Sequence, residues 1–300
     1  MSTTRVEAAP AAPTAGLLDG IPPEDLRRLR PVGARPPLAR YIADVWGHRS
    51  FIWALAVSGL RSNNGRDKLG NFWLVLSPVV NGLIYFLVFG VLLGTGKNVP
   101  NFIGYLVIGV FMFTYSNRAI STGAKAITGN RKLIQTLRFP RAVLPISEVV
   151  EQLLAFGVSF VAMLLLVLVV PPWEGITWRW LLVVPAVALQ TVFNGGLVMI
   201  FARLTSRISD FTNILPFLLR AWLYMSGVFY TVERFAHHPT LKRVFELNPA
   251  HAFLTIAREL ILYHQVPGLG VWLVAIGWTV PMAIVGFVLF WRAEESYARD

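Results

Sequence analysis

The sequence predicts an all-α integral membrane protein. It has six transmembrane helices, an N-terminal amphipathic interface helix, and short re-entrant helices between helices five and six. Six apolar runs, roughly 71–93, 101–117, 150–170, 181–202, 211–230 and 270–291, carry this reading. Crossing a bilayer's hydrocarbon takes about 20 such residues, and the second run reaches that length once Arg118 to Ser121 sit at the interface. Hydrophobic residues make up 55% of the chain and charged ones 14%, which excludes an ordinary soluble domain. Within the cores of the runs one side chain is charged, Arg220. A charge at that depth is costly and marks function by default.

Only residues 1–70 and 231–269 lie clearly off the membrane. Neither stretch holds a domain of the usual ~100–150 residues, so the chain has no room for a soluble ATPase or transferase domain. The net charge of +11 follows the membrane rather than a nucleic acid. Arg118, Lys125, Arg131, Lys132, Arg138 and Arg141 crowd one short segment without an acid. Arg61, Arg66 and Lys68 precede the first run, Arg203 and Arg207 follow the fourth, and Arg292 follows the sixth. The opposite side has Lys97 and Arg179 in its short loops. The positive-inside rule then places both termini in the cytoplasm, and anionic headgroups account for much of the basic excess. The sequence contains no cysteine, which excludes disulfides and thiolate metal sites.

Four regions follow: a disordered cytoplasmic tail (1–37), an interface helix with its connector (38–70), the six-helix domain (71–292) and a cytoplasmic tail (293–300). Residues 1–37 lack the apolar core of a signal peptide. In 38–61, Leu38, Tyr41, Ile42, Val45 and Trp46 recur at helical spacing with charges between them. That pattern suits a helix lying on the membrane, or one packed on the protein from the cytosol. Run one starts after the polar stretch 61–70 and carries Gly90 and Gly94 near its outer end, a spacing that permits close helix contact. Between runs two and three, Ser121 to Lys132 is a short helix interrupted by Gly123 and Gly129, followed by RKLIQTLRFPRAVLP (131–145). Such an element between two spans is either a handle that passes force to both or a solvated basic loop. Run three ends at Pro171, run four at Arg203, and run five carries Pro216. Segment 231–269 has helical spacing from Pro249 onward (Phe253, Ile256, Leu260, Ile261) but is too polar to span, which suggests helices dipping into the outer leaflet.

The order of these pieces resembles the membrane subunits of type-2 ABC exporters of O-antigen, teichoic acid and other lipid-linked polysaccharides. The residues concerned are the surface helix, LGNFWLVLSPVVNGLIYFLVFGVLL (69–93), RKLIQTLRFPRAVLP (131–145), ILPFLLRAWLYMSGVFY (214–230), and LNPA (247–250) with Arg258 downstream. The resemblance covers about residues 38–292. It implies a homodimer in the bacterial cytoplasmic membrane, two copies of a separate ABC ATPase that holds ATP and Mg, and no cofactor on this chain. It also implies a polyprenyl-diphosphate-linked glycan, for instance a cell-wall galactan, threaded outward. By the same resemblance Arg131, Lys132, Leu137, Phe139, Pro140 and Arg141 couple to the ATPase. Segment 203–212 would be a second contact, and Asn248, Pro249 and Arg258 would belong to an outer gate.

The residues offer little for an enzyme. DxD, HExxH and Walker A motifs are absent, and Gly94-Thr95-Gly96-Lys97-Asn98 lacks the phosphate-loop spacing. Four of the five histidines (His237, His238, His251, His264) share the outer segment without a metal-ligand spacing. Arg220, counted back from Tyr230, sits about 15 Å from the outer end, at the depth of Gln190. It either faces the translocation path or is a structural arginine bonded to polar groups. Pyranose rings call for aromatic faces, and Tyr85, Tyr115, Tyr224 and Tyr230 are candidates for the path, as are Tyr105, Phe111, Phe113, Trp222 and Phe229; belt and packing roles compete for each. Tyr224 shares a helix face with Arg220. A type-2 exporter of drugs or lipids is the alternative function, and a membrane-embedded glycosyltransferase fits less well for want of catalytic acids.

Overall fold

The computed structural model describes residues 36–65, 70, 72–95, 99–171, 175–232 and 238–294. The expectations for Arg66, Lys68, Lys97, His237, nearly all of the N-terminal tail and most of the C-terminal tail lie outside these residues. All regular structure among the described residues is helical.

Two helices, α1 (Leu38–Gly47) and α2 (Arg49–Gly65), precede the bundle. The amphipathic reading of α1 holds: Tyr41 and Val45 are buried while Ile42 and Trp46 are exposed. Helix α3 (Phe72–Tyr85) continues as a π-helical turn, Phe86–Leu92. The Thr95 hydroxyl donates to the Phe89 carbonyl at 2.6 Å, so this part of the GTGKN stretch closes a helix end. Helix α4 (Phe102–Gly123) is the buried axis of the bundle; Asn101, in left-handed conformation, caps it by accepting from the Gly104 amide at 3.0 Å. Short helices α5 (Ala126–Gly129) and α6 (Arg131–Thr136) lead into α7 (Val143–Val169). A 3-10 turn, Trp178–Leu182, opens α8 (Val183–Arg207). Then come α9 (Phe211–Met225), α10 (Pro239–Glu246), α11 (Pro249–Ile261) and α12 (Leu269–Arg292).

Among the described residues, five helical stretches are long and apolar enough to cross a membrane: Phe72–Leu92, Phe102–Gly123, Val143–Val169, Trp178–Arg207 and Leu269–Arg292. The fifth expected run behaves differently. Its helix stops at Met225 and the chain turns through Ser226–Tyr230, with Gly227 at φ +66°. At helical rise α9 is about 22 Å long, short of the ~30 Å of hydrocarbon.

Packing depends on small residues and on repaired backbone breaks. A Cβ on Gly196 of α8 would strike the Met282 carbonyl of α12, and one on Gly286 would strike the Gly196 carbonyl, so the two backbones meet directly. Pro78 inside α3 deprives the Leu74 carbonyl of its helical donor. Ser159 of α7 replaces it, donating its hydroxyl at 2.9 Å. No water is at hand in the bilayer to satisfy such a carbonyl. The largest core cluster gathers α4, α7, α8, α11 and the turn after α9. A second, at the opposite end of α4, joins α1, α5, the start of α7 and the end of α12.

Candidate functional site

Three places gather the functional candidates. The first is the basic end of the bundle. In α6, Arg131 and Lys132 are exposed, as is Leu137 just after it, presenting charge and one apolar side chain to the outside. Phe139 packs edge-on to Phe51 of α2, ring centroids 5.4 Å apart. Pro140 accepts from the Val143 amide at 3.0 Å and turns the chain into α7. Arg141 donates from both its backbone amide (3.0 Å) and its guanidinium (3.2 Å) to one Glu294 carboxylate oxygen. The other oxygen accepts the Tyr41 hydroxyl at 2.6 Å, and that hydroxyl in turn accepts the Ala142 amide at 3.1 Å. The carboxylate at the end of α12 thus ties α1 to the segment before α7. The sequence had given Glu294 and Tyr41 no role beyond tail and apolar stripe; Tyr41's place on the buried stripe of α1 was the available clue.

The second place is the exposed face of α9. Arg220 and Tyr224, four residues apart on one helix face, are exposed on it. Behind them Phe229 packs against Tyr85 (4.5 Å), Phe89 (4.4 Å) and Tyr224 (5.6 Å). Tyr230 donates its hydroxyl to the Tyr224 carbonyl. Four of the five path candidates therefore come together: Arg220, Tyr224, Tyr85 and Tyr230. Tyr115 stands apart, 3% exposed, stacked on Phe156 and hydrogen bonded to Thr191 at 2.8 Å. Tyr105, Phe111 and Phe113 are likewise core residues. Since α9 ends at Met225, Arg220 is five residues, about 7.5 Å, from the helix end. The Gln190 amide meanwhile donates to the Met112 carbonyl and the Ser116 hydroxyl of α4.

The third place is the outer-gate segment. Arg258 is 2% exposed. Its guanidinium donates to the carbonyls of Tyr105 (3.2 Å), Gly227 (3.0 Å) and Val228 (3.2 Å) and lies 3.4 Å from the Tyr105 ring centre. Burial lowers its pKa, yet a guanidinium stays charged in proteins. Tyr105 donates to the carbonyls of Gly227 and Tyr230, both at 2.8 Å, so two side chains hold the turn that interrupts run five. Asn248 caps α11 by accepting from the Ala250 amide (3.0 Å), also accepts from the Trp222 indole (3.0 Å), and donates to the Met225 carbonyl (2.8 Å). Pro249 occupies the first turn of α11, where it suits a helix start. Beside these residues opens a cavity of about 1150 Å³, lined among others by Tyr230, Glu246, His251, Thr255, Glu259 and Tyr263. Burial raises the pKa of Glu259. Among the described residues no three metal-ligating side chains converge.

Residues 51–262 match the ABC-2 type transporter family. The chain belongs to that family. It is therefore the multi-pass membrane subunit of a transporter rather than an enzyme. Curated relatives within reach include the O-antigen export system permease protein RfbA of Myxococcus xanthus, 26% identical over 260 residues, covering 87% of this chain and 96% of the relative. A protein of the same name from Klebsiella pneumoniae is 22% identical over 197 residues, 65% of this chain and 74% of its own. The polysialic acid transport protein KpsM of Escherichia coli is 22% identical over 250 residues, 81% and 93% of the two chains.

Proposed function

We infer that this chain is the permease subunit of an ATP-driven exporter that moves a polyprenyl-diphosphate-linked polysaccharide across the bacterial cytoplasmic membrane. The observation that carries the reading is the match along 96% of an O-antigen export permease. In this account two copies form the conduit and two copies of an ABC ATPase supply the energy. Both termini face the cytoplasm, and α9 makes a sixth, shorter crossing whose outer end is completed by the turn at 226–230.

The site residues take the following roles. Arg131, Lys132, Leu137, Phe139, Pro140 and Arg141 receive the ATPase stroke. Phe139 and Arg141 pass it to α2 and to the end of α12, and segment 203–212 is a second contact. The face bearing Arg220, Tyr224 and Tyr85 lines the path. An exposed guanidinium on an apolar helix is expensive against lipid, which supports covering this face with the second copy and an aqueous, glycan-filled space. Tyrosine rings there give weak, repeated stacking, as multi-site conduction requires. Asn248, Pro249 and Arg258 fix the outer helices to the end of α9 and set where they pivot. Depleting the chain in cells tests the reading: a polyprenyl-linked glycan accumulates on the cytoplasmic face, whereas unchanged surface polysaccharide refutes it.

A further inference from the structure

We propose that the cavity between α10, α11 and the start of α12 is a carbohydrate-binding subsite, adjoining the α9 face at Tyr230, that takes a segment of the emerging glycan. The proposal rests on the exporter reading above. Its volume of about 1150 Å³ exceeds the ~300–1,000 Å³ of pockets that hold drug-sized ligands, so a segment of more than one sugar ring fits.

The lining chooses the ligand class. Arg258 reaches the cavity, but its guanidinium is engaged by three backbone carbonyls and is framework. Among the described residues, that leaves Arg243 against Glu246 and Glu259, and Glu246 is also 3.6 Å from Lys242. A wall with this balance does not select a phosphate. Ionised carboxylates are acceptors only, which suits the many O–H donors of a sugar. His251, bonded to Thr255 at 3.3 Å, and Gln265 add polar edges, and Tyr230 and Tyr263 supply ring surface for C–H faces. Aliphatic side chains share the lining (Val99, Val232, Leu247, Val271 and Val274) and suit the C–H faces of sugar rings, while an acyl chain would desolvate the Glu, His, Gln and Thr groups among them.

The absence of native cysteine permits a direct test. Thr255→Cys puts a single thiol of this chain on the cavity wall, and Gly175→Cys puts one on an exposed loop residue outside the lining. The full chain is kept with its ATPase in cells, and a membrane-impermeant maleimide is added outside. Oligosaccharide fragments released from the host's own surface polysaccharide are the probe, with inorganic phosphate in a parallel arm. The fragments slow labelling at position 255 but not at 175, about fivefold at four times Kd, the factor 1 + [L]/Kd. Thr231→Cys on the same lining repeats the measurement should Thr255→Cys fail to fold. Unchanged labelling at 255 and 231 while polysaccharide export continues overturns the subsite and leaves the exporter reading standing. Slowing by phosphate alone also overturns it. Surface polysaccharide that persists after depletion refutes the exporter reading instead, and with it this proposal.

Discussion

Tyr41 donates its hydroxyl to Glu294 at 2.6 Å across 253 residues of sequence, closing the interface helix α1 onto the end of the last span α12. Because the same hydroxyl accepts the Ala142 amide, Tyr41→Phe leaves two buried polar groups short of a partner while keeping the ring. The expected cost is about 1–3 kcal/mol, read as a lowered midpoint in thermal unfolding of the purified complex. An unchanged midpoint contradicts a structural tie at this point.

Arg258→Lys does not substitute for the native residue. One ammonium lacks the planar fork that serves three carbonyls and stacks on Tyr105. Limited proteolysis of the 226–230 turn should accelerate in this variant as in Arg258→Ala. Equal resistance of Arg258→Lys and wild type would show that charge alone holds the turn.

Ser159→Ala removes the donor that satisfies the Leu74 carbonyl opposite Pro78. The loss is about 1–3 kcal/mol, and Ser159→Thr retains most of the stability if its hydroxyl keeps the same direction. Denaturation of the three proteins in one detergent checks the order wild type, Thr, Ala.

Phe139→Ala removes the edge-on contact with Phe51, at a half-buried position of the segment proposed to receive the ATPase stroke. Export should fall while membrane insertion and the helical fold persist. Normal export together with normal ATPase association would end the coupling role assigned to this segment.

The elements that obey periodicity were readable from the residues. Runs one to four and six became helices, although the third starts at Val143 rather than near 150, and α1 buries Tyr41 and Val45 of its apolar stripe while Ile42 and Trp46 stay exposed. What escaped depends on tertiary contacts. The end of α9 at Met225 has one local breaker, Gly227, which by itself does not announce it. It is set by Gly227 at positive φ and by carbonyls that Tyr105 and Arg258 claim from distant helices. Tyr115 looked like a path residue because aromatic periodicity cannot tell a core face from a pore face. Gln190 stood out as a polar group at the depth of Arg220, but its amide is taken by Met112 and Ser116 of α4, a tertiary contact that spacing does not show. Glu294 was invisible as a tether because its partners lie 153 and 253 residues away.

A photoreactive residue at position 224, compared with one at 115, tests the central claim most directly. In cells with an active ATPase partner, ultraviolet light should join polysaccharide to the chain at 224, beside Arg220, and not at the buried position 115. Export that continues without any glycan adduct at 224 would contradict a path along the α9 face.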